Sequence, residues 1–315
     1  MNGILPLWKE KGMTSHDCVY KLRKILGTKK VGHTGTLDPS VEGVLPMCIG
    51  QATRVAEYIT DAGKEYIAVI SIGTATETED AEGVAVASDK SIKRFKRGEI
   101  EKVLGKLTGE IVQIPPMYSA VKVGGRRLYE YARKGIVVER PERTVTIDKL
   151  EILDDAEIYE GTEVTFKLRI VCGKGTYIRT LAVQIGEMLG YPAHMASLVR
   201  TASGTYRQED CLTLVEVKKL KEEGELDSYI NPLEAALVNY QFFEIDDDDD
   251  MQFDLINGQV LPRHSLFDDD KTPIVFTKNN KALAVYQIHP TKPKLMKPEK
   301  MFPENAQMSF QRTPE

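Results

Sequence analysis

The run "EVTFKLRIVCG" (163–173) alternates apolar and polar residues from Val164 to Ile170. Val164, Phe166, Leu168, Ile170 and Cys172 share one parity, and Thr165, Lys167 and Arg169 share the other. A period of two is the signature of an extended strand with one face in a core. The period then changes. "TYIRTLAVQIGEMLG" (176–190) sets Ile178, Leu181, Ala182, Ile185 and Leu189 on one helical face and stops at Gly190. "AHMASLVRTASGTY" (193–206) returns as a strand. Such a unit has to bury the sheet against the helix.

Similar signals recur upstream. "TSHDCVYKLRKILG" (14–27) reads as an amphipathic helix, with Thr14 and Asp17 spaced as a capping box and Gly27 as its stop. "KEYIAVISIG" (64–73) is apolar on both faces, as expected of a buried central strand. "GEIEKVLGKL" (98–107) predicts a short helix. Strands and helices mix without a βαβ rhythm. The expected class is α+β, with a mixed, largely antiparallel central sheet flanked by helices.

Within 315 residues, composition shifts after "INPLEAALVNY". The segment "FFEIDDDDDMQFDLINGQVLP" (242–262) is acidic, and "PIVFTKNNKALAVYQIHP" (273–290) is strand-like. The expected organisation is a main domain over 1–240, a small β-rich module over 241–302 and a loose tail over 303–315. The module is expected to be auxiliary, so that a chain ending near residue 240 would still fold.

Several function classes recede. No apolar run approaches the roughly 20 residues of a membrane helix. "MNGILPLWKEKG" lacks the form of a signal peptide, so the cytoplasm is expected. Cys18, Cys48, Cys172 and Cys211 are widely spaced and expected to be reduced thiols. His16, His33, His194, His264 and His289 lack metal spacing. Net charge is −5, yet residues 1–40 and 114–145 each carry seven basic residues against three acidic ones. Residues 241–270 carry ten acidic residues against one basic, Arg263. Two early segments are therefore suited to phosphates despite the overall acidity.

"GHTGTLDPSVEG" (32–43) holds one carboxylate, Asp38, among glycines and before a proline. A phosphate loop would need a Lys after its second glycine, which is missing. A plain turn fits, since Asp bonds nearby backbone and Pro fixes φ. A nucleophile on a constrained loop fits equally. An ordinary aspartate, with a pKa of roughly 3.9, is already ionised at neutral pH.

The longer pattern bears on that choice. "GHTGTLDPSVEGVLPMCIGQATR", "GKEYIAVISIGTATETEDAEG", "IPPMYSAVKVGGRRLYEYARKGIVVERPERTV", "VCGKGTYIRTLA" and "AHMASLVRTASG" resemble, in order, the segments of the bacterial TruB class of pseudouridine synthases. The resemblance spans about residues 3–215. It implies a pseudouridine synthase fold that converts a uridine of the transfer RNA T loop to pseudouridine after base flipping, without cofactor or metal. Asp38 falls on the family's nucleophile, Tyr66 on its base-stacking tyrosine and Arg179 on the arginine that partners the aspartate. Tyr177 and Leu198 match pocket-lining positions, and His33 matches the histidine that replaces displaced bases. Residues 114–143 match the thumb insertion, whose Arg126, Arg127, Arg133 and Lys134 would meet phosphates. Lys9 joins the expected RNA-binding residues. It lies in "KEKGMTS", where the family's usual proline is replaced by Glu10. "DLINGQVLP" resembles a PUA-type RNA-binding module. A monomer acting without guide RNA is expected. The alternatives are a synthase for other structured RNAs, or a chaperone that refolds transfer RNA without chemistry.

Overall fold

A computed structural model describes residues 1–246, 251–268 and 272–309. Its largest sheet has nine strands. Its main path runs Gly3–Lys9, Glu42–Ile49, Ala193–Ser203, Lys64–Ile72, Val164–Cys172, Arg143–Ile152 and Gly109–Gln113. Two short strands, Val31–His33 and Tyr206–Arg207, pair beside it. Every pairing is antiparallel except one, where Val199 and Arg200 lie parallel to Glu42 and Gly43. That contact is very close. A Cβ on Gly43, whose φ is 137°, would sit 2.3 Å from the Arg200 carbonyl oxygen, so the crossing of the two strands requires glycine.

The alternating strand behaves as its sequence dictates. Val164, Phe166, Leu168, Ile170 and Cys172 are all buried. They face the core together with Ala68, Ile70 and Ile72 of the adjacent central strand. Helix Ile178–Leu189 buries Ile178, Leu181, Ala182 and Ile185 in that core, while Leu189 is half-buried at its rim. Helix Ser15–Leu26 starts with the expected capping box at Thr14 and Asp17 and ends on a left-handed Gly27. Strand Lys64–Ile72 departs from expectation along its first six residues. Lys64, Tyr66 and Ala68 are buried, but Glu65, Ile67 and Val69 are only half-buried. The reason is polar pairing on the second face, where Glu65 accepts from Arg169 at 2.6 Å and from Thr201 at 2.9 Å.

A second, five-stranded sheet begins at Gln241 and has the order Gln241–Glu244, Ile274–Lys278, Lys281–Ile288, Leu295–Met301, Leu261–Pro262. It has a core of its own around Phe267, Phe276, Tyr286 and Met296. A second apolar cluster is shared with the main domain. There Val275, Ala282, Val285 and Phe302 pack with Val44, Ala52, Val55, Leu233 and Leu237.

The expected loose tail needs correction over 303–309, where Pro303–Ser309 is a helix. Ala306 and Asn305 are buried. Asn305 accepts from Gln51 at 2.6 Å and donates to the Ala282 carbonyl at 2.9 Å. Glu304 accepts from Asn2 and Lys30. The helix is held by partners distant in sequence, which its own weak apolar period does not reveal. Residues 310–315, with Asp247–Asp250 of the acidic run and Asp269–Asp270, lie outside the described residues. Among the described residues no helix is long and apolar enough to cross a membrane.

Candidate active site

Asp38 sits on a turn tied down from several sides. The Val41 amide closes the turn by donating to the Asp38 carbonyl at 3.0 Å. Ser15, at the start of a helix, accepts from the Leu37 amide at 2.9 Å. Gly12 donates its amide to the Pro39 carbonyl at 2.8 Å. The turn reading and the preorganised-carboxylate reading therefore describe the same loop.

Lys9 departs from its expected role. Its side chain is fully buried, and Nζ donates to the carbonyls of Met13 at 2.7 Å, Glu10 at 3.0 Å and Pro39 at 3.3 Å. A buried ammonium surrounded by carbonyls is a brace for the Asp38 loop and has no route to a phosphate. Burial is the main cause that lowers its pKa.

Arg179 enters from the first turn of helix Ile178–Leu189. Its side chain is 7% exposed, and Nη2 lies 3.1 Å from Asp38 Oδ2. Nη1 lies 3.6 Å from Asp80 Oδ2. Nη1 and Nη2 also donate to the carbonyls of Thr78 and Tyr118, at 3.1 and 2.9 Å. One guanidinium thus meets two carboxylates and two carbonyls, a use that suits its rigid fork of donors. Burial pushes the Asp38 carboxyl above its ordinary range, and Arg179 pulls it back down.

Asp38 and Arg179 open on a cavity of about 300 Å³. Tyr66, Tyr177, Leu198 and Arg200 also line it. All five expected pocket residues thus meet, although they come from a loop, two strands and the entrance to a helix. Tyr177 is fixed through its backbone, with Gln113 accepting from its amide at 2.9 Å and donating to its carbonyl at 3.2 Å. His33 stands outside the cavity lining, half-buried at the end of its short strand. Its Nδ1 accepts from the Gly35 amide at 3.3 Å, which leaves the proton of a neutral ring on Nε2. Burial lowers its pKa, favouring that neutral form.

Residues 114–143 carry a small hairpin, Lys122–Val123 with Arg126–Arg127, followed by the short helix Leu128–Ala132. Arg126, Arg127, Arg133 and Lys134 are exposed there. The Tyr129 ring packs under both Arg127 and Arg133, with guanidinium carbons 5.9 and 5.2 Å from its centroid.

Sequence reasoning missed Asp80 and Arg200. Asp80 lies in a polar stretch without periodicity. Arg200 did leave a signal, since it shares parity with buried Leu198 and Ala202 and so occupies a core-facing position. Among the described residues no cluster of His, Cys, Asp and Glu could hold a metal ion.

A paired carboxylate and arginine over a base-sized cavity, carried on a mixed sheet with a basic hairpin beside it, fits the class of pseudouridine synthases. Comparison with known proteins supports that class. Residues 23–178 match the TruB family pseudouridylate synthase N-terminal domain, and residues 179–238 match the tRNA pseudouridylate synthase B C-terminal domain. A tRNA pseudouridine synthase B from Listeria innocua is 55% identical over 303 residues, covering 96% of this chain and 98% of that protein. One from Geobacillus thermodenitrificans is 52% identical over 303 residues, covering 96% and 100%. Among solved structures, a Cbf5-Nop10-Gar1 complex matches with a TM-score of 0.70 and 27% identity, covering 96% of this chain and 86% of that one. The chain belongs to the TruB family of pseudouridylate synthases.

Proposed function

We propose that this enzyme isomerises one uridine in the T loop of transfer RNA to pseudouridine, with Asp38 as the nucleophile. The observation that carries the reading is the Arg179–Asp38 pair at the cavity. The reaction breaks a C–N glycosidic bond, turns the uracil and joins C1′ to C5. It needs no redox or phosphoryl step. Asp38 acts either by adding to the uracil ring or by promoting loss of the base from the ribose, and both routes use its ionised form. Arg179 keeps the carboxylate charged and aimed.

The target base must leave its stack, at a cost of a few kcal/mol. Neutral His33 is suited to stack in the gap. Tyr66 stacks on the extruded uracil and later takes the C5 proton, while Tyr177 and Leu198 flank it. Arg126, Arg127, Arg133 and Lys134 meet the RNA phosphates, and the shape of the loop supplies most of the specificity. The C-terminal sheet serves as a PUA-like module for the rest of the transfer RNA. The enzyme acts in the cytoplasm as a monomer without guide RNA. A refolding chaperone would have no need of a buried arginine set against this carboxylate.

The test is release of tritium from C5 of uridine in a T-arm transcript. Wild type should release it. Asp38→Asn should lose at least roughly 10²-fold in rate, on the scale of removing a catalytic group, while still binding the transcript. Turnover within about tenfold of wild type would remove Asp38 from the nucleophile's place.

A further inference from the structure

Arg200 is the largest fully buried side chain among the described residues, and the mechanism above gives it no task. Burying a guanidinium is costly unless its charge and donors are used. Nε donates to the Val44 carbonyl at 2.7 Å and Nη2 to the Gly35 carbonyl at 3.2 Å. Among the described residues no carboxylate pairs with it. Two carbonyls ask for donors, which a neutral amide could supply equally well, so they leave the positive charge unexplained.

The charge has another neighbour. Arg200 lies directly opposite Tyr66 in the antiparallel register of the two central strands, and both line the Asp38 cavity. We propose that Arg200 is the positioning residue that makes Tyr66 a proton acceptor, holding its phenol oxygen at the cavity and stabilising the phenolate while the C5 proton leaves. This rests on the role given to Tyr66 above.

The step balances without any redox change. Tyr66 first gives its proton to water. After C1′ has joined C5, that carbon still carries its hydrogen. The phenolate takes this hydrogen as a proton, and the C–H electron pair closes the C5=C6 bond. The N1=C6 pair moves onto N1, which takes a proton from water.

Other groups act on the phenol as well. Asp38 on the loop opposes ionisation, as would Cys172 on the other neighbouring strand if charged, but burial pushes that thiol up to about 11 and keeps it neutral. On its own strand Lys64 lies close by, with its pKa lowered to about 8 by burial. Arg179 reaches the same cavity but is engaged by Asp38 and Asp80. Burial pushes the Tyr66 phenol up, and the strongest opposing influence is the positive charge of Arg200.

The experiment uses the full chain and a T stem-loop RNA containing either ordinary or 5-deuterated uridine. Single-turnover rates are measured at saturating enzyme across a pH series. Arg200→Gln keeps a donor for the backbone carbonyls but removes the charge, and Arg200→Lys keeps the charge. The Gln variant should lose roughly 10²-fold in rate, the scale of a positioned proton transfer. Deuterium should slow it more than it slows wild type. The more alkaline of the two limbs along which its rate rises with pH, that of Tyr66 as distinct from that of the Asp38 carboxyl, should move alkaline by about 1–3 units, as expected on losing a neighbouring charge. The Lys variant should recover part of both rate and limb. A Gln variant with the wild-type isotope effect and pH profile overturns the proposal.

A second measurement avoids the variants' folding. In wild-type protein labelled at the tyrosine ring carbon bearing oxygen, Tyr66 should titrate by NMR well below Tyr206, whose buried phenol is pushed far up. Titration of Tyr66 together with Tyr206 also overturns the proposal. Tyr66→Phe separates the two readings. If it retains the wild-type isotope effect and pH limb, Tyr66 itself is not the base. If it loses them while Arg200→Gln keeps them, the proposal about Arg200 fails alone.

Discussion

Asp38 is governed by opposed influences: burial, and less strongly Asp80, raise its pKa, Arg179 and less strongly Lys9 lower it, and the raising side prevails. The sign of the pH dependence follows. A raised carboxyl loses its charge at a higher pH than a free aspartate as acid is added. Catalysis that needs the carboxylate should therefore show an acid limb above the ordinary aspartate value of roughly 3.9. Single-turnover rates against pH will show this, and a limb at or below the free value would contradict the burial argument. Arg179→Met should move the limb further up, because the lowering partner is gone. Asp38 and Arg179 were legible in the sequence because each sits in a long motif. Lys9 was not, because a lysine bound for the surface and one enclosed by three carbonyls look alike in a string of letters.

At the scale of elements, the basic hairpin invites a direct test. Arg126 and Arg127 are exposed on one short strand of that hairpin. If they neutralise phosphates, changing both to Ala should weaken RNA binding and flatten its salt dependence by up to about 0.9 of a slope unit per lost contact. An unchanged slope would place the arginines away from the RNA. Long elements with a clear period, such as 163–173 and 176–190, were readable from sequence because burial of one face imposes the pattern. The helix at 303–309 was not. Its burial depends on Gln51, Asn2 and Ala282, which are remote in the chain.

For the whole molecule, the question is whether the C-terminal module can be removed. The sequence favoured a separable appendage, because its acidic composition ill suits a main RNA anchor. The structure joins it to the catalytic domain through one apolar cluster. Val275, Ala282, Val285 and Phe302 are completely buried there. Burying a Val or Phe side chain contributes about 1.5–3 kcal/mol. Losing three such contacts is comparable with the roughly 5–15 kcal/mol that holds a domain together. A chain ending at residue 240 should therefore melt well below full-length protein, or aggregate through Ala52, Val55, Leu233 and Leu237. Circular dichroism melting decides this, and an unchanged melting temperature would show that the cluster contributes little.

By itself, the sequence determined the strand and helix periods, the α+β class and the identity of the loop that carries Asp38. These properties are local or repeat at short spacing, so neighbouring residues record them. Tertiary structure alone decided that Arg179 also reaches Asp80, that Lys9 braces the loop from within and that Arg200 faces Tyr66. It also decided that the final helix closes the contact between the two sheets. Each of these depends on which residues the sheet order brings together across long sequence separations, and pairing between strands leaves no mark in the period of either strand.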